Sequence, residues 1–207
     1  QIPSGPTEFR RQDGGGRGRG VFCGGYYPTQ TNIIDAVQIA TLGNSADFGD
    51  LITYNRLMGS LSSSVRGVIG GGYPTTNLIQ YVTISSSGGA NDFGDLRIAY
   101  YTGSGLSNST RGIIGGGQSA SSVYNTFTDF VTITTTGNSS FFGNLTARAN
   151  MNQLSSAASP TRGLFGGGVN TNLIEFVTIS TLGDAVDFGN LTIEKWMGDG
   201  GLSSSTR

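Results

Sequence analysis

The sequence predicts an all-β chain built from four copies of one strand-rich unit. Three features point to this: an arginine that recurs at a near-constant interval, a glycine cluster behind each recurrence, and apolar residues alternating with polar ones in between. Arg19, Arg66, Arg111, Arg162 and Arg207 stand 47, 45, 51 and 45 residues apart. The units run 21–67, 68–112, 113–163 and 164–207, behind a Gly/Arg-rich arm over 1–20. A period of this length suits a four-stranded propeller blade and exceeds ankyrin or helical-hairpin repeats. Glycine supplies 35 of 207 residues, over twice the usual ~7%. Because it recurs in register with the apolar runs, it marks turns.

Four short strands are expected per unit. Strand a lies in a Ser-rich segment ahead of each arginine: Leu61 to Ser64, Leu106 to Ser109, Leu154 to Ser156, Leu202 to Ser205. Strand b is an apolar pair running into glycines, as in Val68-Ile69 before Gly70 to Gly72 and Ile113-Ile114 before Gly115 to Gly117. Strand c alternates with period two, most clearly over Ile79 to Ile84 and Ile174 to Ile179, the pattern of a strand with one face buried. A turn centred on Gly43, Gly88, Gly137 or Gly183 then leads to strand d, at Asp47 to Leu51, Asp92 to Leu96, Phe141 to Leu145 and Asp187 to Leu191. No long window carries helical spacing.

One such unit cannot cover both faces of its own sheet, so neighbours must stack, and closing the array into a ring removes exposed edges. Unit one starts at strand b, and the chain finishes on a spare strand a. The expectation is a four-bladed propeller of four-stranded sheets, with residues 202–207 pairing beside Val21-Phe22 to complete the first blade. The competing reading is a longer propeller of which these units are a part.

Composition narrows the chemistry. There is no histidine, one cysteine and a formal net charge of −1. That removes the commonest general base, His/Cys zinc sites, internal disulfides and the overall basic surplus of a nucleic-acid binder. No run reaches the ~18 apolar residues of a membrane span. Asp-Phe-Gly recurs at 47–49, 92–94 and 187–189, but with one lysine and no histidine it reads as a structural turn, its Phe packed between blades. Asp47, Asp50, Asp92 and Asp95 resemble calcium ligands, yet unit three places Phe141 and Asn144 there, so backbone-capping turns are expected. The glycine clusters lack a following Lys-Ser/Thr for phosphate. Cys23 reads as a small buried hydrophobe, and the periodic arginines as bridges between adjacent blades. Arg10, Arg11, Arg17 and Arg19 sit in a short arm with Glu8 and Asp13, read as a tether or docking arm. No catalytic residue, metal site or cofactor is expected.

The order of apolar pair, glycine cluster, loop, alternating strand, turn and aromatic resembles the kelch repeat, with Phe48, Phe93, Phe142 and Phe188 where that family places Trp. Thr110 to Gly117 and Asn91 to Leu96 are also similar to repeats of tail-fibre and other virion proteins of tailed phages that infect cyanobacteria. The resemblance covers about nine-tenths of the chain. It implies a non-enzymatic kelch-like propeller on the virion surface or tail, outside the cell, within a homo- or hetero-oligomeric assembly. Its partners would be other virion subunits and a host-surface glycan, with no nucleic acid and no membrane insertion. The binding surface is expected on variable loops carrying Tyr26, Tyr27, Tyr73, Tyr100, Tyr101, Tyr124 and Trp196, since aromatic rings suit sugar faces and protein anchors. The alternative is a secreted lectin-like propeller acting alone.

Overall fold

The computed structural model describes residues 18–101, 103–146, 154–194 and 201–203. These form fifteen strands and no helix. The first sheet holds β1 (Arg19–Tyr26), β2 (Gln30–Gln38) and β3 (Ala46–Asp50). The second holds β4 (Gly59–Ser62), β5 (Arg66–Gly70), β6 (Thr76–Thr83) and β7 (Asn91–Tyr100). The third holds β8 (Ser104–Ser107), β9 (Arg111–Gly115), β10 (Phe127–Thr132) and β11 (Ser140–Asn144). The fourth holds β12 (Ser155–Ala158), β13 (Arg162–Gly166), β14 (Leu173–Thr178) and β15 (Val186–Asn190). Every sheet is an antiparallel meander, and strands a to d fall where the repeat places them. Each four-stranded sheet takes its first strand from the end of the preceding repeat.

Three apolar cores lie between consecutive sheets. Phe48 and Leu51 of the first sheet meet Val82 of the second, Phe93 and Leu96 meet Ile133, and Phe142 and Leu145 meet Ile179. The same polar seam borders each core. Gly88, Gly137 and Gly183 donate backbone N–H to Phe48 O, Phe93 O and Phe142 O at 2.7, 2.6 and 3.0 Å. Two residues on, Ala90, Ser139 and Ala185 donate to Asp50 O, Asp95 O and Asn144 O at 2.7, 2.8 and 2.7 Å. The approach is close enough that a Cβ on Gly94 would sit 2.5 Å from the Gly137 carbonyl carbon. Glycine in strand d therefore lets the next turn touch backbone.

The arginines fasten the same seams. Arg19, Arg66 and Arg111 donate to Ile84 O, Ile133 O and Ile179 O at 3.2, 2.9 and 2.8 Å, each reaching into the next sheet. For Arg66 and Arg111 the expected bridging between neighbouring sheets is observed; Arg162 makes no such bond among the described residues. Arg19 thus belongs to β1, two residues ahead of the sequence-based boundary at 21, because it opens strand b as Arg66 and Arg111 do.

The inner strands step round in the same way. Ser107 Oγ donates to Ser62 O (2.7 Å), Ser156 Oγ to Gly105 O (2.6 Å) and Ser203 Oγ to Ala158 O (2.6 Å). The aligned positions Ser60, Gly105, Ser156 and Gly201 line one cavity of about 300 Å³. Gly201–Ser203 therefore stand where the next inner strand belongs.

The first sheet differs from the expected four strands. Among the described residues β1 pairs only with β2. The sequence reason is the stretch before Arg19, Asp-Gly-Gly-Gly-Arg-Gly, which lacks the Leu-Ser pair found at 61–62, 106–107, 154–155 and 202–203. Residues 204–207, most of the strand expected to fill that place, lie outside the described residues. The outer face of the last sheet is open to match: Phe188 is 52% exposed, whereas Phe48, Phe93 and Phe142 are 2–3% exposed.

Two substitutions test the seam. Gly94 has φ 141° besides its backbone contact, so Gly94→Ala is expected to destabilise by about 2 kcal/mol or more. Leu106→Ala, at a buried core position, is expected to cost about 2–5 kcal/mol. Urea unfolding followed by tryptophan fluorescence or circular dichroism reads both.

Candidate binding face

The glycines after strand b build one end of the molecule. Gly71 and Gly72 hold φ 67° and 120°, values that glycine adopts without steric cost. A Cβ on Gly72 would lie 2.1 Å from Asn55 Oδ1. Asn55 is buried in that space and donates Nδ2–H to Gly71 O at 3.0 Å. The turn delivers Tyr73 to the end face, and its equivalents deliver Tyr26 in the first sheet and Gln118 in the third.

The segments entering β4 and β8 run beside two of these residues. Arg56 and Tyr73 exchange backbone hydrogen bonds of 3.3 and 2.7 Å, and Tyr101 and Gln118 exchange bonds of 2.9 and 2.8 Å. Side chains then join along the face. The Arg56 guanidinium lies 4.5 Å from the Tyr26 ring centroid and 5.0 Å from that of Tyr73. Tyr73 meets Tyr101 edge-on at 5.5 Å, and Tyr101 Oη donates to Gln118 Oε1 at 2.9 Å. Gln118 in turn bridges to Tyr124 through the backbone. A ribbon of rings, one guanidinium and one amide crosses three sheets.

Of the residues singled out in the sequence, Tyr26, Tyr73, Tyr101 and Tyr124 lie on this ribbon. Tyr27, 92% exposed, stands beside Tyr26. Trp196 lies outside the described residues. Tyr100 is a correction: it is 1% exposed, in the core between the second and third sheets, with its ring edge-on to Phe127 at 6.1 Å. Adjacent strand residues point to opposite sides, so with Tyr101 outward, Tyr100 must turn in. Burial pushes its hydroxyl well above the usual tyrosine range, with Asp129 adding to the shift and Arg97 opposing it.

Sequence reasoning missed Arg56 and Gln118. Arg56 did leave a trace: with Arg97 it stands out of phase with the Arg-Gly period. Arg97 proves structural, since its Nε donates to buried Asp129 at 2.6 Å, and Asp129 also accepts from Ser139 Oγ at 3.2 Å. The carboxylates of the Asp-Phe-Gly turns cap backbone, Asp47 accepting from Gly49 N–H at 3.0 Å and Asp92 from Gly94 N–H at 2.9 Å. Among the described residues no cluster of His, Cys, Asp and Glu is grouped to hold a metal ion. No protein-family model and no curated protein matches this sequence.

Cys23 packs at the edge of the first core, and burial pushes its thiol up to about 11. The unfolded value is 9.0, so the folded state holds the proton more tightly. Its contribution is fully present below pH 9 and is lost as pH rises toward 11. Iodoacetamide at pH 8 is expected to label native Cys23 far more slowly than the urea-unfolded chain, because the thiolate is the nucleophile. Equal rates would contradict the burial.

Proposed function

We propose that this chain closes into a four-bladed, kelch-like propeller and serves, without catalysis, as a virion surface or tail component. In this reading its end face docks neighbouring virion subunits and attaches to a host-surface glycan. The observation that carries the binding role is the ribbon from Tyr26 to Tyr124, spread over three sheets that the seams hold in fixed relation. The virion setting rests on the resemblance of the repeats.

Closure is supported by an unused copy of the seam at the two ends. Phe188 O and Gly43 N–H occupy the places of Phe93 O and Gly137 N–H. Arg162 and Ile39 O correspond to Arg111 and Ile179 O. Asp35 and Thr192 N–H correspond to Glu175 and Thr146 N–H, a pair joined by hydrogen bond in the third seam. Leu61 and Leu106 lie against Gly112 and Gly163, where an added Cβ would meet each leucine at 2.5 Å. Gly67, the same position one sheet earlier, has only Val82 and Ile84 of its own sheet nearby, while Leu202 is 97% exposed. Leu202 beside Val21 would fill that place. A cavity of about 410 Å³ bordered by Val21, Gly67 and Ser203 leaves room for it.

A non-catalytic role is supported by where the reactive groups are engaged. Asp129 bonds Arg97 and Ser139, Glu175 accepts from the Thr146 backbone N–H, and Cys23 is held as a thiol. Both carboxylates are buried, and of the three Cys23 alone borders a cavity with Tyr26 and Arg56.

Two experiments separate the parts. Gly189 has φ 143° and nothing within 4 Å of an added Cβ. In a closed ring Gly189→Ala adds a collision with the turn at Gly43 to the strain of its own backbone and is expected to destabilise as much as Gly94→Ala, whereas the smaller loss of backbone strain alone gives an open array. Immunogold labelling of purified particles with an antibody to this chain is expected to mark the surface or tail. An unlabelled particle, with glycan-array binding by the free chain that Tyr73→Ala weakens, gives the lone lectin instead.

A further inference from the structure

We infer that Arg56 is the anion-recognising centre of the end face, and that the ligand is an acidic polysaccharide whose carboxylate pairs with the guanidinium while its sugar rings lie along the tyrosines. This deepens the glycan half of the proposed function and rests on the end face being a binding surface.

Arg56 is set apart from the arginines of the seams. Arg19, Arg66 and Arg111 each end on a backbone carbonyl of the next sheet, and Arg97 on Asp129. Arg97–Asp129 is the one ion pair among the described residues, so Arg56 has no carboxylate beside it there. Its Nε is enclosed and meets no acceptor, so an arriving carboxylate would pair end-on with the two terminal Nη groups. Backbone exchange with Tyr73 and stacking between two rings fix the guanidinium in place before any ligand arrives. That pre-ordering suits the planar two-point geometry by which arginine reads a carboxylate.

The surroundings favour a chain of sugars over an isolated anion. Tyr26, Tyr27 and Tyr73 are all exposed, offering apolar ring surface to the C–H faces of a saccharide. Beyond Tyr73 the ribbon continues through Tyr101 and Gln118 to Tyr124, longer than one sugar unit needs. Two residues beside the ribbon hold left-handed backbone, Leu57 at φ 58° next to Arg56 and Ser122 at φ 60° just before Tyr124. Such conformations are unfavourable for residues with a side chain and gather at ligand clamps. With a formal net charge of only −1, little long-range field opposes an anion.

The test uses the full chain and a matched pair of probes, polygalacturonate and its fully methyl-esterified form, which share a backbone and differ in charge. Calorimetry is expected to show the acid binding about ten- to a hundredfold more tightly than the ester, the range of one charge-assisted contact. Arg56→Gln is expected to erase that difference, Arg56→Lys to restore part of it, and Tyr73→Ala to weaken both probes alike. Thermal unfolding of each variant guards against loss of fold, and the acid–ester comparison on the unaltered chain needs no variant. Equal affinity for acid and ester, absence of binding to both, or a preference that survives Arg56→Gln overturns the assignment. Particle labelling is independent of these outcomes: a labelled particle without acid preference sinks only the Arg56 site, and acid preference without labelling sinks only the virion setting.

Discussion

The constraint on which the structure depends is that no sheet here covers its own apolar face. Phe48, Phe93 and Phe142 are buried only because the next sheet's turn lies over them, and that turn is held by hydrogen bonds from Gly88, Gly137 and Gly183. Apolar burial supplies the drive, at roughly 25 cal/mol per Å², but it is indifferent to register. The backbone pair at each seam is directional, and a one-residue slip would strand N–H and C=O groups away from water. Dispersion and hydrogen bonding thus fix different things at one boundary: one makes sheets adhere, the other sets how they adhere.

A buried polar side chain at the centre of strand c refines each seam. Gln80 accepts from the Ile52 backbone N–H at 2.9 Å, Asp129 from the Arg97 side chain, and Glu175 from the Thr146 backbone N–H. An amide and two carboxylates of different reach occupy one structural position because the demand is for an acceptor facing the preceding sheet. A buried carboxylate is tolerable only with such partners. Burying it there penalises a slip along the seam, since the donor sits at one position of the preceding sheet, Ile52, Arg97 or Thr146. The central seam alone uses a full ion pair, and Ser139 occupies a second Asp129 oxygen.

Much of this was legible in the sequence, for physical reasons. Strand c at Ile79 to Ile84 declares itself by alternation, since one face is buried and the other is not. The glycine clusters declare the turns, because side chains would collide there. The Arg-Gly period gave the repeat because Arg19, Arg66 and Arg111 perform the same inter-sheet bond. What stayed hidden depends on contacts between repeats. Tyr100 and Tyr101 look alike in sequence, and only the position of the third sheet decides which ring turns inward. The importance of Arg56 was equally hidden, since stacking on Tyr26 and Tyr73 requires the first two sheets to be set side by side. Asn55, buried at the position that Tyr100 fills one sheet later, reads from sequence as an ordinary loop residue.

The arginines show how a repeat can acquire a site without losing its scaffold. Arg66 and Arg111, in phase with the repeat, sit on aromatic rings of their own sheet, at 4.2 Å from Tyr81 and 4.7 Å from Phe130, and donate onward into the next. Their charge is satisfied within the ring of contacts, and changing one would loosen a seam. Arg56 uses the same stacking on tyrosine, but on the end face, where no neighbouring sheet presents a carbonyl to it. The interaction that elsewhere joins two sheets is there left half made. A repeat architecture produces two outcomes where one copy carries a residue that the others lack: Arg97 meets Asp129 within the chain, whereas Arg56 meets no carboxylate among the described residues and stays open to a partner of opposite charge.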